Sequence, residues 1–294
     1  MKFFHPLVQQ LVPVCASPAE AASQAWLLLE KVTGLSRTWF LAHADYALTP
    51  DQQLQMDALV NRRVHERVPV QYLLGCVPFL DLTLTVRPPT LIPRPETEEW
   101  VAWLIDTLAP VKEQPLRILD VCTGSGCIAL ALAHALPRAT VLGTDISEEA
   151  IVLATENARN NGLANVSFMV SDLLDGVQGK QFDLVVGNPP YITQAELVNL
   201  EPEVREWEDE RALLGGDDGL ILYRRLIKSL RGHLDVKGLI VESDLPVVVL
   251  ELGTDAMGVN QMLLDAGIAK TEIRYDMQGF ARWVTGVGLT GAVD

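Results

Sequence analysis

From residue 94 onward the chain alternates short apolar runs with longer amphipathic stretches, and this alternation limits its fold more than any other feature. Runs of four to six apolar residues that are too short for helices read as strands buried on both faces. They are expected at 117–121, 140–144, 166–170, 182–187, 238–242 and 247–252, with a last pair at 271–276 and 281–287. Helices are expected at 96–108, 127–136, 147–160 and 218–231. The third helix carries its own end signals: Ser147 as N-cap, Glu148 and Glu149 in the first turn where the helix dipole favours acids, and Gly162 just past the end. Strand and helix in alternation imply an α/β domain with a mostly parallel sheet and helices on both faces. A ligand crevice is then expected beyond the carboxyl ends of the first strands.

The region before residue 94 has a different pattern. Residues 1–76 read as a small helical domain. One helix carries Ala21, Ala22, Ala25, Trp26, Leu28 and Leu29, and a second starts at Thr49-Pro50-Asp51 with Gln52 completing a capping box. The apolar set expected for this second helix is Leu54, Ala58, Leu59 and Val64. Residues 77–93 read as a β-hairpin linker: Leu80, Leu82, Leu84 and Val86 alternate with period two, Pro88-Pro89 turns the chain, and Thr90-Leu91-Ile92 returns as the second arm. Residues 94–294 form the α/β domain.

Composition removes several classes of function. A net charge of −15 repels a phosphate backbone, so general nucleic-acid affinity is not expected without a local basic face. The pairs Arg62-Arg63 and Arg224-Arg225 read as solvated helix faces, and the acidic run 201–210 as a solvated lid face. Met and Trp residues read as core. Cys15, Cys76, Cys122 and Cys127 form no CxxC pair and lack a histidine at ligand spacing, so no metal site is expected. No apolar run reaches membrane-spanning length. The first thirty residues hold Lys2 and no arginine, so no clear targeting segment is visible.

Chemistry gathers where the strands end. The first ends in Asp120-Val121-Cys122-Thr123-Gly124-Ser125-Gly126-Cys127, whose glycines allow a tight turn and close approach to the main chain. This is neither GxGxxG nor a phosphate-binding Walker loop, and taken alone it also fits an ordinary strand-to-helix turn. Asp145, 25 residues past Asp120, ends the second strand, where a carboxylate can accept both hydroxyls of a ribose or serve as a helix-start acid. Ser171-Asp172-Leu173 follows the third strand, and Asp172 there either accepts from an adenine amine or is a plain loop acid. Together the three strand ends describe an adenosine site with no phosphate to neutralise, and S-adenosylmethionine is such a ligand.

The fourth strand runs into Asn188-Pro189-Pro190-Tyr191. Two prolines remove two donors and fix two φ angles, which makes a stiff loop or simply breaks the strand. Beside an adenosine site the loop has a chemical use. An amide or aromatic amine is a poor nucleophile because its lone pair is delocalised. The Asn188 side-chain oxygen and the Pro189 carbonyl can each accept one N–H bond, and Tyr191 can pack on a flat group. Catalysis would come from orientation and electrostatic placement.

These residues resemble the HemK/PrmC family of protein-glutamine methyltransferases. The resemblance extends over most of the chain, through Val68-Pro69-Val70-Gln71-Tyr72, Leu91-Ile92-Pro93-Arg94-Pro95-Glu96-Thr97-Glu98, the glycine loop, Asp145, Asn188 to Ile192, and Asp276-x-x-Gly279-x-x-Arg282. It implies a Rossmann-like class I S-adenosylmethionine-dependent methyltransferase with a small N-terminal helical domain. The acceptor implied is the side-chain amide nitrogen of the glutamine in the Gly-Gly-Gln motif of class I peptide chain release factors, with the helical domain binding the factor. It also implies cofactor positions at Cys122, Thr123, Gly124, Ser125, Gly126, Asp145, Asp172, Leu173 and Asn188. Asn188, Pro189, Pro190 and Tyr191 match the glutamine-binding positions, and Arg94, Glu96 and Thr97 match a segment lining the site. Arg94 can instead be an ion-pair partner of Glu96 or Glu98.

Three stretches depart from the family pattern: Cys122 stands where many members have glycine, Glu208 to Leu213 lacks the usual Glu-Pro, and Glu242 to Leu250 reads as an insertion or an altered strand. Glu96-Thr97-Glu98-Glu99-Trp100 and Cys122 to Cys127 resemble the family's fungal mitochondrial branch, which implies the matrix; a bacterial origin implies the cytoplasm. Two other classes stay open. A nucleic-acid amino-methyltransferase of the adenine N6 type shares the Asn-Pro-Pro-Tyr chemistry but calls for a basic groove. A binding module on a decayed methyltransferase fold calls for losses at Gly124, Gly126, Asp145 or Asn188, all of which are present.

Overall fold

The structure, a computed structural model, describes residues 3–235, 244–253 and 255–290. It divides into two compact units, Met1–Cys76 with Glu201–Trp207, and Val77–Leu200 with Glu208–Asp294.

The first unit is helical: α1 Phe4–Leu11, α2 Pro18–Thr33, α3 Arg37–Ala42, α4 Pro50–His65 and α5 Val70–Leu74, joined by the short helix Pro202–Arg205. Ser17 caps α2 by accepting from Glu20 N, and Gly34 ends it at φ 69°. The Thr49–Gln52 capping box forms at the start of α4. Leu11, Leu28, Leu29 and Phe40 are wholly buried, and Phe4 stacks on Trp26 with ring centroids 4.2 Å apart.

The buried stripe of α4 is Met56, Val60 and Arg63, whereas Leu54 faces solvent. Arg63 is 4% exposed, so it is not part of a solvated face. Its Nε donates to Gln24 Oε1 at 2.9 Å, Nη1 to Glu203 Oε1 at 2.6 Å and Nη2 to the Val14 carbonyl at 2.7 Å. Arg67 donates to Glu203 Oε2 at 2.7 Å, so both oxygens of this carboxylate are bound. Trp207 Nε1 donates to the Glu66 carbonyl at 3.0 Å. Glu201 and Glu206 keep the solvated character expected of the run, and Glu203 departs from it. Glu203 is buried because two guanidinium groups satisfy it, which is what a buried carboxylate requires.

A two-stranded hairpin, β1 Cys76–Phe79 and β2 Leu82–Thr85, begins at the last residue of the first segment and lies otherwise in the second unit. Its turn is at Leu80-Asp81, not at Pro88-Pro89, and residues 90–92 are not a strand arm. Leu80 sits at φ 49° with its amide donating to Glu98 Oε1 at 2.7 Å, so it leaves the ladder that the alternation assigned to it. Asn157 fastens the hairpin by accepting from Thr85 N at 2.8 Å and donating to the Thr85 carbonyl at 3.1 Å.

The central sheet has seven strands: β3 Arg117–Val121, β4 Thr140–Asp145, β5 Val166–Val170, β6 Leu184–Gly187, β9 Pro246–Glu251, β10 Ile268–Tyr275 and β11 Ala281–Leu289. Strands β7 Ile192–Thr193 and β8 Leu214–Gly216 form a separate parallel pair. The order in the sheet is β10-β11-β9-β6-β3-β4-β5, with β11 antiparallel to both of its neighbours and the other pairings parallel. Helices α6 Pro95–Leu108, α7 Cys127–Ala135, α8 Glu148–Asn160, α9 Ile221–Leu230 and α10 Ala256–Asp265 belong to the same unit. Strand order reverses between β3 and its two neighbours β4 and β6, which opens a crevice at their carboxyl ends. Helix α8 ends as expected. Gly162 takes φ 68°, and Leu163 N and Gly162 N donate back to the Ala158 and Arg159 carbonyls. The expected strand at 238–242 lies outside the described residues. The 246–250 part of the departure at 242–250 is a regular buried strand pairing with β6, Val185 opposite Val248.

Candidate active site

The loop after β3 is shaped by backbone that only glycine adopts cheaply. Gly124 and Gly126 lie at φ 55° and 85°. A Cβ on Gly126 would stand 3.0 Å from Ala154 Cβ and 3.2 Å from the Phe168 ring, so the turn packs directly on its neighbours. Cys122 also takes a positive φ, 60°, which is the conformation a glycine would supply more cheaply at this position. Below the loop Asp120 is fully buried. Its Oδ2 accepts from Thr123 Oγ1 at 2.6 Å and Ala129 N at 3.1 Å, while Oδ1 has no partner among the described residues. Burial raises this carboxyl from 3.8 to about 7 against those two hydrogen bonds. Burial likewise raises the Cys122 thiol and pushes Cys127 up to about 12, so neither is a thiolate nucleophile at neutral pH.

Asp145 closes the loop from β4: Oδ2 accepts from Gly124 N at 2.9 Å and Oδ1 from Ser147 N at 2.9 Å. Its carboxyl is raised by burial, with those two amides pulling it back down. A cavity of about 480 Å³ opens over these strand ends. Cys122, Thr123, Gly124, Ser125, Asp145, Asp172, Leu173, Asn188, Pro190 and Thr97 line it. Gly126, Pro189, Tyr191, Arg94 and Glu96 do not; Gly126 shapes the turn from behind. Asp172 faces the cavity while its Oδ2 accepts from Arg225 at 2.8 Å; Arg225 borders the cavity and still lies, with Arg224, on the solvated helix face expected of the pair.

The Asn188-Pro189-Pro190-Tyr191 loop leaves β6 and enters β7. It is seated on three glycines. A Cβ on Gly215 would lie 2.7 Å from the Pro190 carbonyl oxygen, one on Gly219 would overlap the Tyr191 carbonyl oxygen, and one on Gly253 would lie 2.6 Å from the Tyr191 ring. Burial raises the Tyr191 phenol to about 12, with the nearby Glu251 carboxylate adding to the shift. The phenol therefore keeps its proton at neutral pH.

The 94–97 segment divides in its contacts. Arg94 pairs with neither Glu96 nor Glu98; its Nη2 donates to Glu208 Oε2 at 2.6 Å. Glu96 lies 3.5 Å from Arg282 Nη2. Thr97 reaches the cavity wall and donates from Oγ1 to Glu251 Oε2 at 2.6 Å, beside Trp100 Nε1 at 2.8 Å. Glu208 is buried against the 92–94 backbone, and Asp209, Glu210 and Arg211 line the cavity, so the acidic run ends as a wall of the site and not as a solvated face. Asp209 N donates to the Pro89 carbonyl at 2.7 Å. Composition pointed away from this stretch because its charges are masked by partners 114 residues away in sequence, as in the Arg94–Glu208 pair. Leu91, Pro93 and Ile146 also line the cavity, and isolated apolar residues in loops carry no signal in sequence.

Among solved structures, the hMettl16 catalytic domain in complex with MAT2A 3'UTR hairpin 6 is 19% identical, covers 83% of each chain and superposes with a TM-score of 0.55. A methyltransferase from Pyrococcus furiosus is 17% identical, covers 81% of this chain and 99% of its own, and gives 0.51. These likenesses carry the Rossmann-like class I methyltransferase fold. Family models match in both parts of the chain, the PrmC N-terminal domain over residues 15–75 and the methyltransferase small domain over residues 101–201. The release factor glutamine methyltransferase of Deinococcus radiodurans is 39% identical over 264 residues, 88% of each chain. Those of Escherichia coli and Thermodesulfovibrio yellowstonii are 38% and 36% identical over 80% of this chain and 82% and 81% of theirs. At 36–39% identity to such relatives over four-fifths or more of its length, this chain belongs to the release factor glutamine methyltransferase family.

Proposed function

We infer that this protein transfers a methyl group from S-adenosylmethionine to the side-chain amide nitrogen of the glutamine in the Gly-Gly-Gln motif of class I peptide chain release factors. The observation that carries this reading is the Asn188–Tyr191 turn at the end of β6, beside a cavity walled by the ends of β3, β4 and β5. The residues present suit the cofactor. Gly124 and Gly126 leave the loop open to close approach, Asp145 suits ribose hydroxyls, and Asp172 and Leu173 suit an adenine. When bound, the cofactor supplies an electrophilic methyl on a sulfonium.

The rest of the chemistry belongs to this chain. Asn188 Oδ1 and the Pro189 carbonyl accept the two N–H groups of the acceptor amide and hold its nitrogen in line with the methyl. These acceptors stabilise positive charge as it develops on nitrogen, which then releases one proton to solvent, with the neutral thioether S-adenosylhomocysteine as the co-product. Two prolines fix the acceptors before substrate arrives, so little ordering is left for the transition state. Tyr191 keeps its proton on Oη and acts as an apolar wall, not as a base. Residues 1–76 serve factor recognition, the hairpin within 77–93 connects, and residues 94–294 carry out transfer. The compartment follows the source: the matrix for the fungal branch, the cytoplasm for a bacterial chain. Among the described residues no helix is long and apolar enough to cross a membrane.

A methyl-transfer assay with labelled S-adenosylmethionine tests the reading. The acceptors are a class I release factor, its Gly-Gly-Gln→Gly-Gly-Ala variant and nucleic acid. Label on the intact factor that is lost in the variant supports it. Label on nucleic acid instead transfers the activity to the adenine N6 class.

A further inference from the structure

The run Asp276-x-x-Gly279-x-x-Arg282 has no part in the chemistry above, yet it is a densely hydrogen-bonded turn near the acceptor loop. Asp276 Oδ1 accepts from Gln278 N and Phe280 N, both at 2.9 Å, and Oδ2 accepts from Arg282 Nε at 2.7 Å. Asp276 N donates to the Phe280 carbonyl at 2.9 Å, and Gly279 takes φ 85° to close the turn. Arg282 also faces Glu96 at 3.5 Å, and its guanidinium lies 5.5 Å from the centre of the Phe280 ring. This scaffold holds three large apolar side chains in water. Met277 is 93% exposed, Tyr275 59% and Phe280 58%, and Met277 is the most exposed large hydrophobic residue among those described. Methionines were expected in the core, and Met277 is the opposite case.

The position of the turn gives the exposure a meaning. β11 starts just after it and pairs Trp283 with Glu251, at the carboxyl end of β9, the end of the sheet where the cavity opens. Leu252 N donates to the Arg282 carbonyl at 2.7 Å, and the next residue, Gly253, lies against the Tyr191 ring. Arg282 is close enough to Tyr191 to act on its phenol electrostatically. The turn therefore continues the acceptor side of the site outward. Its charges are satisfied internally, so what it offers a partner is apolar surface, and its backbone is already ordered, which lowers the entropy cost of docking.

We propose that the Tyr275–Phe280 turn is a docking surface for the protein substrate, gripping apolar surface of the release factor beside the loop that carries the acceptor glutamine. This rests on the function inferred above. A nucleic acid is the poorer fit, because the two cations flanking the turn are already paired, Arg274 with Glu272 and Arg282 with Asp276 and Glu96.

The test is the double variant Met277→Ser/Phe280→Ser, both at exposed positions outside the cofactor cavity. Steady-state methylation of intact release factor, with cofactor affinity measured in parallel by calorimetry, is compared with the parent protein. The expected result is a KM for the factor raised by about tenfold or more, with kcat at saturation and cofactor affinity held, because loss of uniform binding raises KM alone. Asp276→Asn, which frees Arg282 and loosens the turn, raises KM in the same direction while Met277 and Phe280 remain. An unchanged KM in the double variant overturns the proposal. So does a dimer of the parent protein that dissociates in the variant with KM unchanged, which assigns the turn to a second copy. Failure of the parent protein itself to methylate the factor is a separate outcome: it overturns the function on which the docking rests.

Discussion

Gly253 lies beneath the Tyr191 ring so closely that a Cβ would stand 2.6 Å from its nearest carbon. No real Cβ contact is that short, and Tyr191 is hemmed in by Gly215 and Gly219 on its backbone side, so the ring has to move. Gly253→Ala is expected to lower kcat by about a hundredfold through displacement of the acceptor loop by an ångström or so, with cofactor affinity retained. A double-mutant cycle with Tyr191→Ala separates this from general damage. Coupling leaves the double variant no worse than Tyr191→Ala alone, whereas additive losses would refute action through the ring.

Asn188→Ala removes one of two proposed acceptors for the glutamine amide. Asn188 lines the cavity, so the substitution acts at the site itself. Turnover is expected to fall by about 10²–10³, the usual loss when one placed hydrogen-bonding group is deleted from an active site. Equal losses in turnover and in cofactor binding, measured by single-turnover kinetics and calorimetry, would count against the role.

Asp145→Ala is expected to weaken cofactor binding first, by roughly ten- to a hundredfold, the range for hydrogen bonds to a charged group. Because its carboxylate also holds Gly124 N and Ser147 N, Asp145→Asn is the sharper probe: it keeps an acceptor and the side-chain shape. Unchanged cofactor affinity in both variants argues against a ribose contact.

Asp120 should make stability fall as pH rises through the weakly acidic range. The unfolded carboxyl releases its proton near 3.8 and the buried one near 7, so between these values the folded state holds the extra proton. Its contribution is fully present below about 3.8 and is lost as pH approaches 7, by roughly a few kcal/mol in all. Urea titrations from pH 4 to 8 check this. In Asp120→Asn, whose amide oxygen can still accept from Thr123 and Ala129, that component of the slope should vanish.

Glu203→Ala leaves Arg63, 4% exposed, without its carboxylate. An unpaired buried charge costs about 3–5 kcal/mol, so the thermal transition of the helical unit should drop by many degrees. Arg63→Met combined with Glu203→Leu should recover only part of the loss: the apolar pair has no charge to desolvate, but Arg67, Gln24 and the Val14 carbonyl lose these partners.

Local patterns carried the α/β architecture, the Thr49 capping box, the Gly162 helix end and the strand-end residues Asp120, Asp145 and Asn188, because each is written within a few neighbouring positions. Periodicity and proline or glycine spacing report backbone geometry directly. The same local logic misassigned Leu80, whose amide goes to Glu98, and Arg63, whose charge goes to Glu203. It also set aside the acidic run, whose Glu208 is neutralised by Arg94. In each case the deciding partner is distant in sequence, from 18 to 140 residues away, so no window of residues contains both halves of the interaction. Tertiary structure alone decided which charges are buried and paired, which glycines seat the Tyr191 ring, and that Met277 and Phe280 stand in water at the open end of the sheet. Burial and pairing are properties of the folded neighbourhood, and a side chain's own chemistry does not specify which neighbours it will meet.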